Sequence, residues 1–129
     1  MASIRQVLRI PGAALHAPVP EAARVGPVVV SSMIPGRVPV TRELPTDPQR
    51  QAEVMFQRIK LVMDAAGAGM DAIINLQIFV MDDAYRDVVQ AELEKTFPDP
   101  ARRPTYHMLN VAPLGLRGEM FEAVLTAVL

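Results

Sequence analysis

The fold of this chain is decided by residues 47–82, which read DPQRQAEVMFQRIKLVMDAAGAGMDAIINLQIFVMD. Asp47 and Pro48 are typical of a helix start, because Asp can cap the first backbone N–H groups and Pro suits the first turn. Apolar side chains then recur at spacings of three and four as far as Ala66, and Gly67 suits a left-handed helix cap. The pattern predicts a helix that begins at Pro48 and ends just before Gly67.

A strand follows this helix at Ala72–Val80, and its side chains alternate between two faces. The first face is apolar and is predicted to lie in the core: Ile74, Leu76, Ile78 and Val80. The second face is mixed, which suits a subunit interface or a half-exposed surface: Ile73, Asn75, Gln77 and Phe79. The strand is therefore expected to have one buried face and one face available for association.

The remaining elements are predicted on both sides of this helix–strand unit. The five predicted strands are Ser3–Ile10, Val25–Ser31, Ala72–Val80, Thr105–Val111 and Met120–Val128. A second helix begins at Asp82 or Asp83, either of which can cap it, and Pro98 stops it. The order β, β, α, β, α, β, β predicts an α+β fold with one sheet and both helices on one face. No helix remains to cover the other face, so self-association is expected.

Composition limits the class of protein. The 129 residues, 50% of them hydrophobic and 21% charged, predict one globular domain over residues 1–129. A net charge of −1 gives no whole-molecule attraction for nucleic acid. There is no cysteine, and no apolar run approaches the length of a membrane helix. The N-terminal residues do not resemble a signal peptide, so we expect a cytoplasmic protein.

Three stretches resemble the RidA/YjgF/YER057c family of reactive-intermediate deaminases, over about residues 15–129. The first is RIKLVMDAAG, residues 58–67, together with MDAIINLQIFVMD, residues 70–82. The second is VGPVVVSSMIP, residues 25–35, which is similar to the family's strand ending in Ser-Gly-Gln-Ile-Pro. The third is RPTYHMLNVA, residues 103–112, followed by FEAV, residues 121–124.

The resemblance implies a chorismate-mutase-like fold: a single mixed sheet with two helices on one face, assembled as a homotrimer with clefts between subunits. Deaminase members hydrolyse imines and enamines and need no cofactor or metal. In them an arginine binds the substrate carboxylate, a glutamate on the last strand helps to activate water, and a serine–glycine pair and a tyrosine line the cleft. The expected partners here are a small-molecule ligand and further copies of the chain, with no nucleic acid and no membrane.

Carried over by position, the resemblance implies a substituted site. The family's serine–glycine pair falls on Ser31 and Ser32, and its N-terminal tyrosine falls near Val19. The carboxylate-binding arginine falls on Tyr106, and the frequent cysteine two residues later falls on Met108. A slip of two or three residues would instead bring Arg103 to the arginine position. The catalytic glutamate falls on Met120, so two central groups of the deaminase are replaced.

Each candidate residue has an alternative structural interpretation. Tyr106 and Asn110 could present polar groups to a ligand, or Tyr106 could be a sheet aromatic at a subunit boundary. Glu122 could be the catalytic acid or base, or a structural carboxylate within the trimer. Arg103 could anchor a carboxylate, or be a solvated loop charge. Glu119 is expected to be a solvated charge in a turn.

The expected substrate-binding residues are Ser31, Ser32, Arg103, Tyr106, Met108, Asn110 and Met120, with Glu122 as the candidate catalytic residue. The histidines at 16 and 107 are isolated, so no metal site is predicted. We expect a divergent RidA-like protein that hydrolyses or binds a small imine, enamine or related carboxylic acid. The alternative is a non-enzymatic, ligand-binding or regulatory trimer. A nuclease, a function sometimes attached to this family by name, would need a basic surface or a metal site, and the sequence indicates neither.

Overall fold

A computed structural model describes residues 4–12, 18–112 and 117–129 of the chain. They form an α+β fold in which one mixed sheet carries two helices, as the sequence predicts. The helices are α1 (Pro48–Ala65) and α2 (Arg86–Thr96). The strands are β1 (Arg5–Leu8), β2 (Ala22–Val25), β3 (Val28–Ser31), β4 (Ile34–Pro35), β5 (Ile73–Val80), β6 (Thr105–Asn110) and β7 (Phe121–Val128).

The sheet has the strand order β1-β2-β3-β7-β5-β6, and the short β4 pairs with β7 beyond the end of β3. Only the β5–β6 pairing is parallel among the described strands. Two parallel neighbours need a crossover connection, and α2 supplies it. The last of the described strands in the sequence, β7, lies in the middle of the sheet.

The first helix follows the sequence prediction closely. An oxygen of the Asp47 carboxylate accepts a hydrogen bond from the backbone N–H of Arg50 at 3.0 Å, which satisfies one of the free donors of the first turn. At the other end Gly67 has a φ of +73°, and the N–H of Ala68 returns to the carbonyl of Met63. The predicted start and left-handed end of the helix are both confirmed.

The predicted strand Val25–Ser31 is wrong in its bounds, because the structure divides this region into a hairpin. Strands β2 and β3 pair antiparallel, with Val25 opposite Val28. The two-residue turn between them contains Gly26 at a φ of +56°, a conformation in which glycine is favoured. The β-branched run thus forms one arm of the hairpin, while residues 22–25 form the other.

The predicted faces of the central strand β5 are confirmed from Leu76 onward and wrong at its start. Ile74, expected in the core, is 50% exposed, whereas Ile73 is 2% exposed. The pairing of β5 with β7 shifts register between Ile73 and Asn75. Such a bulge adds one residue to the strand and reverses the alternation on one side of it.

The two faces of the sheet differ in their cover. The helix-covered face holds a continuous apolar core that includes Leu76, Ile78 and Leu125. The opposite face exposes apolar side chains without a helix over them, among them Val28, Val30 and Val128. Within the described ranges, no helix is both long and apolar enough to cross a membrane.

Candidate functional site

The two serines implied by the resemblance lie where β3 leaves β7 and β4 replaces it. The hydroxyl of Ser31 is buried and accepts a hydrogen bond from the N–H of Leu125 at 2.9 Å. The hydroxyl of Ser32 donates to the carbonyl of Pro20 at 2.8 Å. The Ser31 hydroxyl therefore closes the gap in the strand ladder, since a buried backbone N–H needs an acceptor, whereas the Ser32 hydroxyl binds the segment that precedes β2.

Tyr106, Met108 and Asn110 share one face of β6, as their alternation predicts, and this is the face turned toward α2. The Tyr106 hydroxyl donates to the side-chain oxygen of Gln90 on α2 at 3.3 Å, and Met108 is buried in the core. Asn110 donates to Asp83 and accepts from the Arg86 guanidinium. The opposite face of β6 carries His107, which is exposed; His16 lies outside the described residues.

Arg103 is turned toward the end of α2. Its Nε donates to the carbonyl of Phe97 at 2.8 Å, and one terminal nitrogen lies 3.5 Å from the carbonyl of Pro98. Arginine is well suited to this place, because the last carbonyls of a helix lack partners and carry partial negative charge. Arg103, which the sequence suggested as an anion anchor, thus contacts the carbonyls at the end of α2.

The candidate residues on β3 and those on β6 do not converge within the chain. The strands that carry them, β3 and β6, are separated by β7 and β5. Three strand spacings of about 4.8 Å put the two groups roughly 14 Å apart. A small ligand bound to one copy of the chain therefore cannot contact both Ser31 and Asn110.

The structure brings together a different set of polar side chains, at the start of β7. This ionic cluster consists of Glu21, Arg37, Arg58, Glu119 and Glu122. Arg58 projects from α1 and is only 3% exposed, and its guanidinium donates to the carbonyl of Arg37 at 3.3 Å. Glu119 is 1% exposed, so the prediction that it is a solvated charge is wrong. Glu122, by contrast, is partly exposed.

Gln51 fixes the backbone around Glu119. Its amide nitrogen donates to the carbonyls of Pro45, at 2.8 Å, and Gly118, at 3.2 Å. Its oxygen accepts from the N–H of Met120 at 2.8 Å. Because Gln51 is fully buried in α1 and holds the residues on both sides of Glu119, the Glu119 side chain is fixed at its base.

Burial, and after it the negative charge of Glu122, together raise the pKa of the Glu119 carboxyl to about 7. Arg37 and Arg58 act against this rise. Burial also lowers the pKa of Arg58, with Glu21 opposing that change. A carboxyl with a pKa close to neutral can hold and release a proton under ordinary conditions, which is what general acid–base chemistry requires.

A signal for this cluster was present in α1. Gln51 and Arg58 fall on the apolar stripe of the helix, in line with Met55 and Val62. Polar side chains on a buried stripe need partners, so these two positions could have predicted a polar site beneath the helix. Nothing in the sequence around Glu119 distinguishes it from a surface residue.

The groove between the helices holds no comparable chemistry, and the described residues hold no metal site. A groove of about 450 Å³ between the helices is lined by residues that include Phe56, Lys60, Glu92 and Lys95, and by none of the predicted site residues. Among residues 4–12, 18–112 and 117–129, no group of three His, Asp or Glu side chains is placed to hold a metal ion. The ionic cluster is therefore the candidate site.

Comparisons with known proteins agree on one family. The family model described as Endoribonuclease L-PSP matches residues 12–129. No curated protein matches the sequence significantly. RidA from the Antarctic bacterium Psychrobacter sp. PAMC 21119 is 25% identical, over 96% of this chain and 99% of that chain, with a TM-score of 0.89.

Two further solved structures have the same fold. A putative translation initiation inhibitor from Vibrio vulnificus CMCP6 is 26% identical, over 96% of this chain and 99% of that chain, with a TM-score of 0.88. The YjgF gene product of E. coli is 24% identical, over 95% of this chain and 98% of that chain, with a TM-score of 0.84. The likeness in each case extends over nearly the whole of both chains.

Proposed function

Because this chain belongs to the RidA/YjgF family, we propose that it hydrolyses a small imine, enamine or related carboxylic acid in clefts between the subunits of a homotrimer. The observation that carries the proposal is the position of Glu122. Glu122 is a partly exposed residue on the last strand, and its charge acts on the buried carboxyl of Glu119. This position supports a role for Glu122 in exchanging a proton with a bound molecule.

The homotrimer is supported by the open face of the sheet. Val30 is 46% exposed there, and Val28 and Val128 beside it are also exposed. Contiguous apolar surface of this kind is typical of an interface. The roughly 14 Å between β3 and β6 within one subunit supports a cleft to which two subunits contribute.

The proposed reaction converts an iminium group and water into a carbonyl group and ammonium. Glu122 as a carboxylate removes a proton from water while the water oxygen bonds to the iminium carbon, and the C=N pair becomes a lone pair on nitrogen. Glu122 then returns the proton to that nitrogen. As the C–N bond breaks, the hydroxyl proton passes to Glu122 and the carbonyl forms. The ammonia that leaves takes up the proton, so that Glu122 is a carboxylate again.

A non-enzymatic ligand-binding trimer is the second candidate, and two observations favour it. Met120 lies where the resemblance implies the catalytic glutamate, and a thioether cannot transfer a proton. Arg103 donates to helix-end carbonyls. These features favour a changed substrate or lost chemistry over the standard reaction.

The test is ammonia release from a 2-aminoacrylate-type imine, generated in the cuvette by a pyridoxal-phosphate enzyme. We expect catalysis that is weaker than that of a RidA protein carrying the family arginine and glutamate, and Glu122→Gln should abolish it. Glu94→Gln, which removes an exposed carboxylate on α2, is the matched control. Binding of small keto or amino acids in a thermal-shift screen without ammonia release would select the second candidate.

A further inference from the structure

We propose that His107 and Gln77 bind the carboxylate of the substrate on the open face of the sheet, with Glu122 at the other end of the bound molecule. This inference rests on the proposed function, in which Glu122 exchanges the proton, and it names the residues that orient the acid. The family resemblance implies Tyr106 or Arg103 for this role. The side chains of both, however, bond to α2 or to the residues at its end.

The three residues share one face of the sheet. Side chains alternate between the two faces along a strand, and those on the core side are buried. Glu122, Gln77 and His107 each alternate with buried residues, so their side chains point to the open face. The buried neighbours are Phe121 and Ala123 for Glu122, Leu76 and Ile78 for Gln77, and Met108 for His107.

The register of the strands sets the spacing of these side chains. Gln77 on β5 is paired directly with His107 on β6, so their Cα atoms lie about 4.8 Å apart. Glu122 on β7 is paired with Phe79, which makes it a diagonal neighbour of Gln77 at about 7–8 Å. Two strand spacings and two residues along the strand put the Cα atoms of Glu122 and His107 roughly 12 Å apart. This spacing leaves room between their side chains for a molecule of a few carbon atoms.

The side chains of Gln77 and His107 have free hydrogen-bonding capacity. Their polar neighbours on the same face, Asn75 and Thr105, bond to each other, with 3.1 Å between Asn75 Nδ2 and Thr105 Oγ1. Within the part of the chain that the structure describes, neither the Gln77 amide nor the His107 imidazole makes a hydrogen bond, and both residues are exposed. An amide N–H and an imidazole N–H side by side can donate to the two oxygens of one carboxylate.

The charges on this face orient a bound acid in the same way. Strands β3, β5, β6 and β7 contain no lysine or arginine, so the imidazole of His107, which can carry a positive charge, is the basic side chain of these four strands. The carboxylate of Glu122 repels another carboxylate. An acid therefore binds with its carboxylate at His107 and with its C=N carbon toward Glu122, which is the orientation that the proposed reaction needs.

The first experiment is calorimetric titration with pyruvate, a keto acid that has the carboxylate and the carbonyl group of the proposed product. His107→Ala and Gln77→Leu should each weaken binding about tenfold or more, as expected for the loss of one hydrogen bond to a charged group. Gln57→Leu, the same change as Gln77→Leu at an exposed position on α1, is the matched control and should bind pyruvate as the wild type does. Unchanged affinity in either His107→Ala or Gln77→Leu would overturn the inference.

The second experiment is nitrogen-15 NMR of the imidazole rings of the wild type, which depends on neither activity nor the stability of a variant. The chain has two histidines, and the signals that are absent from His107→Ala belong to His107. These signals should shift when pyruvate is added, whereas chloride at the same concentration should leave them in place. If pyruvate does not bind, or binds without shifting them, the inference is refuted. If pyruvate shifts them but no imine is hydrolysed, the proposed reaction fails and the carboxylate site stands.

Discussion

Replacing Glu119 by Gln should change how stability depends on pH. In the folded chain burial and Glu122 raise the pKa of this carboxyl from 4.5 to about 7. A carboxyl with a raised folded pKa stabilises the fold fully below its unfolded pKa, and this contribution is lost as pH rises through the folded value. At about 1.4 kcal/mol per pH unit, the loss between pH 4.5 and pH 8 is roughly 3 kcal/mol. Glu119→Gln has no such proton to lose.

The measurement is urea denaturation of both proteins at several pH values and one fixed protein concentration, because assembly makes stability concentration-dependent. The free energy of unfolding of the wild type, relative to that of Glu119→Gln, should fall by about 3 kcal/mol from pH 4.5 to pH 8. Glu94→Gln should follow the wild type. A wild-type curve that runs parallel to the Glu119→Gln curve would show that Glu119 titrates as an exposed acid, and would refute the reasoning.

Three further predictions concern assembly, packing and the role of Arg103. Light scattering should give a particle of roughly 42 kDa, three times the chain mass of 14.1 kDa. Val30→Asp places a charge on the open face of the sheet and should shift the particle toward monomer. A monomeric wild type would contradict the interface. Gly36→Ala should destabilise the protein in thermal denaturation by about 1–3 kcal/mol or more, because the new Cβ would lie 2.2 Å from the backbone oxygen of Gln51. Gly69→Ala, with no heavy atom within 4 Å of its Cβ, should change stability by less than about 0.5 kcal/mol. Arg103→Ala should cost about 1 kcal/mol of stability and leave the affinity for small keto acids unchanged, whereas a tenfold or greater loss of affinity would restore the anion anchor expected from the sequence.

The parts of the fold that depend on local sequence were predictable. The start of α1 at Asp47 and its end at Gly67 are set by capping, which acts over a few residues. The hairpin was missed because Val25 and Val28 read as one β-branched run, although Gly26 between them marks the turn. The bulge at Ile73 has no local signal, since both isoleucines there suit a core strand equally well.

The candidate site was predictable only in part. Glu122 was a candidate because it shares a face of the last strand with Met120, where the resemblance places the catalytic glutamate. The cluster around it depends on interactions between residues far apart in the chain, such as Glu21 and Arg58. The periodicity of apolar residues does not reveal such interactions. A charge in a turn, such as Glu119, is usually solvated, and only the packing of α1 and the segment before β7 shows that this one is buried. Buried charge is a tertiary property, so short sequence motifs do not reveal it.

The central place of β7 has a consequence for synthesis on the ribosome. Residues 121–128 are made after every other strand and helix described here, yet they pair with both β3 and β5 and supply Phe121 and Leu125 to the core. Until they emerge, the nascent chain has two unpaired strand edges that flank an apolar gap, a state prone to strand pairing between chains. Folding must then close contacts over long sequence separations, which is slow. A nascent chain that stalls before residue 121 should thus be a substrate for chaperones, and the whole domain is expected to fold in one late step.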